Sequence, residues 1–246
     1  MPSNDSDAHV WKSPELAAAF LEGIRGAIPL AAEQIDVMLR VIAARDADVW
    51  RCLDLGCGDG VLGAAVLDRY PSAHGVFVDF SQPMLDAAAS RLADDADRAD
   101  VIHLDYGSTN WVTKLGSRGP FDVVVSGFSI YHQTDGRKRE LYGEILDILA
   151  PGGVFLNVEH VASASPWVTG IFDELFIDEL YGRHVSGGGE KSRSDLAHEY
   201  YYRPDKAANI LAPVDEQCRW LREIGYEDVD CYLRILELAV FGGRKP

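Results

Sequence analysis

The stretch Trp50 to Gly63, WRCLDLGCGDGVLG, limits what this chain can fold into more than any other. Cys52, Leu53 and Leu55 read as a short apolar strand with Asp54 near its end. Gly56, Gly58 and Gly60 then form a loop that leads into an apolar helix predicted over Val61 to Tyr70. Alternating glycines let the backbone turn sharply and let a ligand approach where a Cβ would block it. The first N–H groups of the helix have no partner within it and point into the same space. A strand, a glycine turn and a helix in this order make the mouth of a nucleotide site.

The pattern then repeats. Gly75 to Phe80 (GVFVDF) is predicted as a second strand carrying Asp79, with Ser81 capping a helix that runs to about Leu92. Val101 to Leu104 gives a third strand, closed by Asp105. Phe121 to Ser126 (FDVVVS) gives a fourth, apolar throughout as a strand buried on both faces is. A helix over Lys138 to Leu149 aligns Leu141, Ile145 and Leu149, Pro151-Gly152-Gly153 stops it, and Val154 to Val158 is a fifth strand. Strands alternating with helices specify a parallel α/β sheet with right-handed crossovers.

The flanks differ. Residues 1–9 read as disordered, Ser13-Pro14-Glu15 starts a helix bearing Leu16, Phe20 and Ile24, and Pro29 ends it. A second helix, about Ala31 to Ala44, places Ile35, Met38, Leu39 and Ile42 on one face. After the fifth strand come a helix over Trp167 to Tyr181, a glycine- and serine-rich segment from Arg183 to Ser194 expected to be mobile, and the run Tyr200-Tyr201-Tyr202-Arg203. A helix over about Val214 to Ile224 follows, stopped by Gly225, and Asp228 to Gly242 reads as two strands close enough to pair antiparallel. The expected units are N-terminal helices (1–48), an α/β core (49–160), a helical cap (161–212) and a C-terminal helix with a strand pair that completes the core (213–246).

The net charge of −16 and the lack of any Lys/Arg cluster argue against direct nucleic-acid binding. No apolar run reaches membrane-spanning length, and the start MPSNDSD is acidic rather than secretory, so no membrane association and a cytoplasmic location are expected. Cys52, Cys57, Cys218 and Cys231 show no C-x-x-C spacing and read as buried thiols. Glu159 and His160 could pair with His132 on a metal, but nothing like H-E-x-x-H is present, and no metal is expected.

In an open α/β sheet, ligands bind beyond the carboxyl ends of the strands. The polar residues there are Asp54 with the glycine loop, Asp79, Asp105 with Tyr106, Ser126 through His132, and Glu159 with His160. An acid ending the second strand is placed to accept both hydroxyls of a ribose, and Asp105 can accept an adenine amino group. Gly58, Gly60 and Gly63 also fit the dinucleotide fingerprint, with Asp79 about 20 residues on, so a nicotinamide enzyme competes. Asp54 opposes it: so close to the first glycine it would repel a pyrophosphate, whereas an ammonium group would be welcome.

Taken together, DLGCGDG from Asp54, VDFS from Val78 with Met84-Leu85, Leu104-Asp105, FDVVVS from Phe121 and LAPGG from Leu149 resemble the class I S-adenosylmethionine (SAM) methyltransferases. The resemblance covers about Trp50 to Val158 in order, and the C-terminal strands fit the family's terminal hairpin. It implies a three-layer α/β sandwich around a seven-stranded, mostly parallel sheet with its last strand antiparallel. It also implies SAM as cofactor and S-adenosylhomocysteine as product. Asp54, Gly56, Cys57 and Gly58 would surround the methionyl part, and Asp79 would bind the ribose. Phe80 and Met84 would flank the adenine, Asp105 with Tyr106 would close over it, and Ser126 would lie near the methionyl end.

Methyl transfer from a sulfonium is an in-line displacement, so the protein must place the nucleophile and exclude water. A base is needed only when the nucleophile carries a proton. Substrate-side candidates are Tyr131, His132, Glu159 and His160 after the fourth and fifth strands, and Tyr200, Tyr202 and Arg203 from the cap. Trp11 and Arg25 are further candidates from the N-terminal helices. Each has a structural counterpart: strand-end histidines often serve only as hydrogen-bonders, and a tyrosine run as a buried aromatic corner. An arginine among tyrosines is costly to bury unless it meets an anion, so Arg203 suggests a carboxylate on the acceptor or cofactor. The expected partner is a small molecule, an anionic one if Arg203 reaches it, and homodimerisation stays open. A weaker resemblance, through Phe20 to Pro29, Tyr201 to Ile210 and Cys218 to Tyr226, is to carboxy-SAM synthase, which modifies the cofactor itself. A SAM-binding subunit without catalysis is the non-enzymatic alternative.

Overall fold

The apolar runs pair as a twisted sheet in a computed structural model that describes residues 25–202 and 209–246. The helix start at Ser13, Trp11, the side chain of Arg25 and Arg203 lie outside the described residues. Strands β1 (Arg51–Leu55), β2 (His74–Asp79), β3 (Ala99–His103), β4 (Phe121–Gly127) and β5 (Leu149–His160) pair in parallel. Strands β6 (Glu227–Ile235) and β7 (Leu238–Arg244) form the terminal hairpin. The order is β3-β2-β1-β4-β5-β7-β6, with β7 antiparallel to both neighbours. From β1 the chain steps outward to β2 and β3, then returns to β4 on the other side. The carboxyl ends of β1 and β4 therefore flank the switch point, where a crevice must open.

Helices cover both faces. One face buries Met38 and Ile42 of α1 (Ala31–Ala43), Val66 and Leu67 of α2 (Val61–Arg69) and Leu85 and Ala88 of α3 (Gln82–Arg91). The other buries Trp111 of α4 (Trp111–Leu115), Leu141 and Ile145 of α5 (Asp135–Ile148) and Leu221 of α8 (Val214–Ile224). Strand alternation divides them: Val123 and Val125 face the first layer and Val124 the second. Between β5 and α8 run α6 (Pro166–Ser186) and α7 (Arg193–Tyr201). Phe172, Phe176 and Tyr200 from these helices form a third cluster with Leu238, beyond the end of the sheet. Among the described residues no helix is long and apolar enough to cross a membrane.

Several local expectations change. The segment from Arg183 to Ser194 holds the end of one helix and the start of the next around a short connection: α6 continues to Ser186, and α7 starts at Arg193 behind a capping box of Ser192 and Asp195. Arg193 fastens the two helices by bonds to Glu174 (2.6 Å) and Asp178 (2.7 Å). Ser81 holds the N-cap position of α3, but its side chain makes no cap bond. α5 starts earlier than Lys138, because the Thr134 hydroxyl accepts the Arg137 N–H. Leu149 belongs to β5, where it pairs with Phe121.

Gly63, in the first turn of α2, shows how tightly α2 lies on the sheet. A Cβ there would sit 2.3 Å from Phe77 Cε1, and Phe77 is wholly buried. Gly→Ala in a helix ordinarily gains about 1 kcal/mol, whereas overpacking a core costs roughly 1–3 kcal/mol. Sterics should win, so Gly63→Ala should lower the urea midpoint at unchanged m-value. A raised midpoint would show that the Phe77 ring yields.

Candidate functional site

The glycine loop is held by the end of β2. Gly56, Gly58 and Gly60 adopt φ of +68°, +54° and +79°, a region costly for any side chain with a Cβ. The Val78 carbonyl accepts the N–H groups of Gly56 (2.8 Å) and Cys57 (2.9 Å). Asp79 Oδ2 accepts from Gly58 N–H at 3.0 Å, and Oδ1 from Ser81 N–H at 2.8 Å. Burial pushes the Asp79 carboxyl above its usual range, while the N–H groups of Ser81, Gly58 and Phe80 pull it back part of the way. A carboxylate has about four lone-pair sites, so Asp79 keeps acceptor capacity beyond these bonds. Asp54 Oδ2 accepts from Gly63 N–H at 2.8 Å, which ties β1 to the first turn of α2. Arg91 of α3 braces the loop from outside through the Asp59 carbonyl (2.9 Å) and carboxylate (2.6 Å).

These groups open onto a cleft that reaches solvent. Asp54, Gly56, Cys57, Gly58, Asp79, Phe80 and Met84 line it, and His132 stands at its other wall. Gly127, Phe128 and Ser129, within the stretch that sequence placed at the strand ends, also line it, and so do Val61, Leu62 and Ser81, to which sequence reasoning gave no part in the site. Phe128 carries a φ of +49°, a rare conformation for a bulky residue, and would have signalled itself only through structure. Ser129 Oγ would lie 1.9 Å from any Cβ at position 56, so glycine is obligatory there. The Ser81 Oγ is buried with no hydrogen-bond partner among the described residues. Burial pushes the Cys57 thiol well up, so its role in the loop is through the backbone.

Other sequence candidates lie elsewhere. Asp105 is exposed, two residues past the end of β3, and its Oδ1 accepts the Gly107 N–H (2.8 Å), holding a turn. Tyr106 is buried behind the cleft with its hydroxyl 2.6 Å from Ser129 Oγ. Ser126 is buried and donates to the Leu55 carbonyl (2.7 Å), stitching β4 to β1 rather than facing the cleft. Tyr200 is buried and stacks on Phe176 at 5.1 Å, whereas Tyr202 is 75% exposed against His198.

The remaining candidates gather at the ends of β4 and β5. Glu159 is buried and accepts from the N–H groups of Tyr131 (3.1 Å) and His160 (3.1 Å) and from the Asn157 amide (3.2 Å). Burial dominates and pushes its carboxyl up to about 8, against the pull of those donors and of Lys138. His160 Nε2 meets Glu237 Oε2 at 2.7 Å, and Ser163 Oγ donates to Glu237 Oε1 at 2.5 Å. Burial raises the Glu237 carboxyl, but the bonds from His160 and Ser163 outweigh it and leave the carboxyl lowered. Tyr131 packs between His132 (4.0 Å between centroids) and His160 (5.8 Å).

Residues 52–153 match the methyltransferase domain family. A demethylmenaquinone methyltransferase of Leptospira interrogans is 34% identical over 138 residues, 55% of this chain and 54% of that enzyme, so the match spans about half of the relative's length. A malonyl-[acyl-carrier protein] O-methyltransferase of Geobacter sulfurreducens is 31% identical over 93% of this chain and 81% of that enzyme. A carboxy-S-adenosyl-L-methionine synthase of Nitratiruptor is 22% identical over 92% of this chain and 89% of that enzyme. The solved structure of an O-methyltransferase family protein from Burkholderia thailandensis shares the fold at TM-score 0.65 and 18% identity, covering 97% of this chain and 61% of that one.

Glu159 makes stability depend on pH. Its folded value, about 8, lies above the ~4.3 of a free glutamate, so the fold favours the neutral carboxyl. That contribution is complete below about pH 4.3 and is lost as pH rises through about 8, by up to on the order of 5 kcal/mol. Urea midpoints should therefore fall toward alkaline pH, and Glu159→Gln should flatten the fall. Equal slopes in both proteins would place the responsible charge elsewhere.

Proposed function

The chain belongs to the S-adenosylmethionine-dependent methyltransferase family, and from that premise we propose that its strand-end cleft binds SAM and presents the methyl group to a small organic acceptor. The observation that carries this reading is the Asp79 carboxylate. It is buried at the carboxyl end of β2, lining the cleft beside a glycine loop that admits no Cβ at position 56. In this reading Asp79 accepts the ribose hydroxyls, and Phe80 and Met84 hold the adenine between them. The buried Ser81 hydroxyl gains the partner it lacks. Asp54 supplies negative charge near the methionyl ammonium group. Asp105, spent on its turn, has no part in the proposed adenine contact.

The cofactor supplies an electrophilic methyl group together with its leaving group, so the residues here have to position and to exclude water. Gly127, Phe128, Ser129 and His132 wall the cleft on the side of β4, where the sulfonium end would lie. The acceptor would then enter between His132 and the aromatic cluster of α6 and α7. The acceptors named for the relatives, a demethylmenaquinone and a malonyl group on a carrier protein, are too unlike for either to be carried over. The cofactor-modifying reading draws support from the near full-length likeness to a carboxy-SAM synthase. It needs a cation for the added carboxylate, and Arg91, the arginine near the adenine side, is committed to Asp59.

Titration calorimetry should show SAM and S-adenosylhomocysteine binding and NAD not binding. SAM at 100 times its dissociation constant should stabilise the fold by about 2.7 kcal/mol. Asp79→Ala should weaken SAM by roughly 1.5–3 kcal/mol, about 10- to 150-fold, by removing a charged acceptor. Unchanged affinity would remove Asp79 from the ribose. Mass spectrometry of co-purified ligand separates the two cofactor readings: a species heavier than SAM by one carboxylate favours the synthase.

A further inference from the structure

The cleft wall on the side of β4 contains a residue in a conformation that its own side chain disfavours. Phe128 follows directly on β4 and has a φ of +49°. The left-handed region is costly for any residue with a Cβ, and a bulky residue stays there only where its surroundings over-determine it. Here both neighbours do so. The Phe128 N–H is held by the Val158 carbonyl (2.9 Å), one more rung of the β4–β5 ladder. The chain then leaves the ladder and Ser129 closes on the glycine loop. Its Oγ would lie 1.9 Å from a Cβ at position 56, and it bonds the Tyr106 hydroxyl at 2.6 Å. An extended residue at 128 would instead send its side chain to one face of the sheet, opposite to that of its neighbours.

The side chain so placed is half-buried and lines the cleft. It packs against two clusters at once, the layer of α1 and α2 and the cap cluster of Phe172, Phe176 and Tyr200. Among the described residues no other hydrophobic side chain is shared by these two clusters. The sheet order sets what the ring faces. β1 lies between β2 and β4, so the cleft runs from Asp79 at the end of β2, across the glycine loop, to Gly127, Phe128 and Ser129 after β4. A cofactor with its ribose on Asp79 and its adenine between Phe80 and Met84 has its sulfonium end left to face Phe128. A packed interior yields little, so a ring backed by the cap cluster has no room to swing aside.

We propose that Phe128 is a specificity-determining residue for the group carried on the cofactor's sulfur. Its ring is the partition between the cofactor cleft and the space beneath the cap, and it limits that group to about the size of a methyl. The inference rests on the methyltransferase reading above and deepens it. A methyl group meets the flat of the ring in van der Waals contact, whereas a larger substituent overlaps it. The strained backbone then has a use, because it sets a rigid side chain at the end of the cleft instead of on a sheet face.

The experiment is titration calorimetry on the full chain with three ligands: SAM, its analogue with S-benzyl in place of S-methyl, and S-adenosylhomocysteine. The last carries no third group on sulfur and reports general damage to the cleft. Wild-type protein should bind the benzyl analogue at least ~10-fold more weakly than SAM, and Phe128→Ala should narrow that gap to about threefold or less. Melting temperature checks the variant. Should Phe128→Ala not fold, Phe128→Gly carries the same test, since it removes the ring and also releases the left-handed φ. An unchanged gap in a variant that still binds S-adenosylhomocysteine would overturn the partition. So would wild-type protein that binds the benzyl analogue as tightly as SAM. A folded variant that loses all three ligands alike would show the ring holding the cleft open rather than dividing it, and the proposal would fall with the cofactor reading intact. Wild-type protein that binds neither SAM nor S-adenosylhomocysteine would bring down that reading, and this proposal with it.

Discussion

The last residues of β2 hold the rest of the site in position. The Val78 carbonyl and the Asp79 carboxylate together receive the N–H groups of Gly56, Cys57, Gly58 and Ser81. These donors belong to a sharply turned loop and a helix start, neither of which can satisfy them internally. The two bonds to the Asp79 carboxylate are charge-assisted, a kind that contributes about 1.5–3 kcal/mol each, and they offset part of the cost of burying that charge. The parallel register that sets Leu55 of β1 beside Val78 leaves the loop no other place to emerge. The cleft is therefore shaped by the protein's own backbone before any ligand enters, and its geometry costs little to adopt at the moment of binding.

That part of the site was legible because its causes are local. The glycines stand next to the strand whose end they leave, and Asp79 ends a strand recognisable by its apolar run. The alternation of strand and helix was legible for a related reason: strands covered on both faces are written as continuous apolar runs. Where orientation rather than position mattered, sequence was silent. Ser126 stands at the end of β4 as expected, but the pleat turns its hydroxyl onto the Leu55 carbonyl. Asp105 follows a strand that ends earlier than its apolar residues suggest, and the turn after it takes the carboxylate. The glycines of the cap marked an irregular connection, and sequence did not show how much of it belongs to α6 and α7, which Arg193 ties together beside a capping box.

Glu237 and Ser163 were invisible for a different reason. The bonds that make them matter span 77 residues to His160 and 74 residues between each other. Neither residue belongs to a motif, and an acid in a hairpin turn reads as solvated. Only the antiparallel pairing of β7 along β5, with Leu238 opposite His160, brings the turn to the strand end. The terminal hairpin thus completes the sheet and also delivers a buried charge to the side of the molecule where an acceptor would sit.

The two halves of the site are built by different physics, and this bears on what can change independently. The half proposed to bind the cofactor rests on backbone geometry. The half proposed to face the acceptor rests on buried polar side chains that clamp segments far apart in sequence. Tyr131 is held on both sides, its N–H by Glu159 (3.1 Å) and its carbonyl by the Ile210 N–H (3.0 Å). Ile210 is held in turn by Lys138, a fully buried lysine that donates to its carbonyl and pairs with Asp135 at 2.9 Å. His160 is held by Glu237. Breaking such a bond leaves an unsatisfied group in a dry place, at a cost of roughly 1–3 kcal/mol, more for a charge. Each clamp therefore fixes one stretch of chain beyond the ends of β4 and β5 nearly all-or-none. Exchanging a clamp for another satisfied pair would move that stretch as a unit, with the glycine loop and Asp79 undisturbed. On the proposed reading, acceptor selectivity would be recast from β5, the hairpin turn and the segment after the cap without touching the residues proposed to hold SAM.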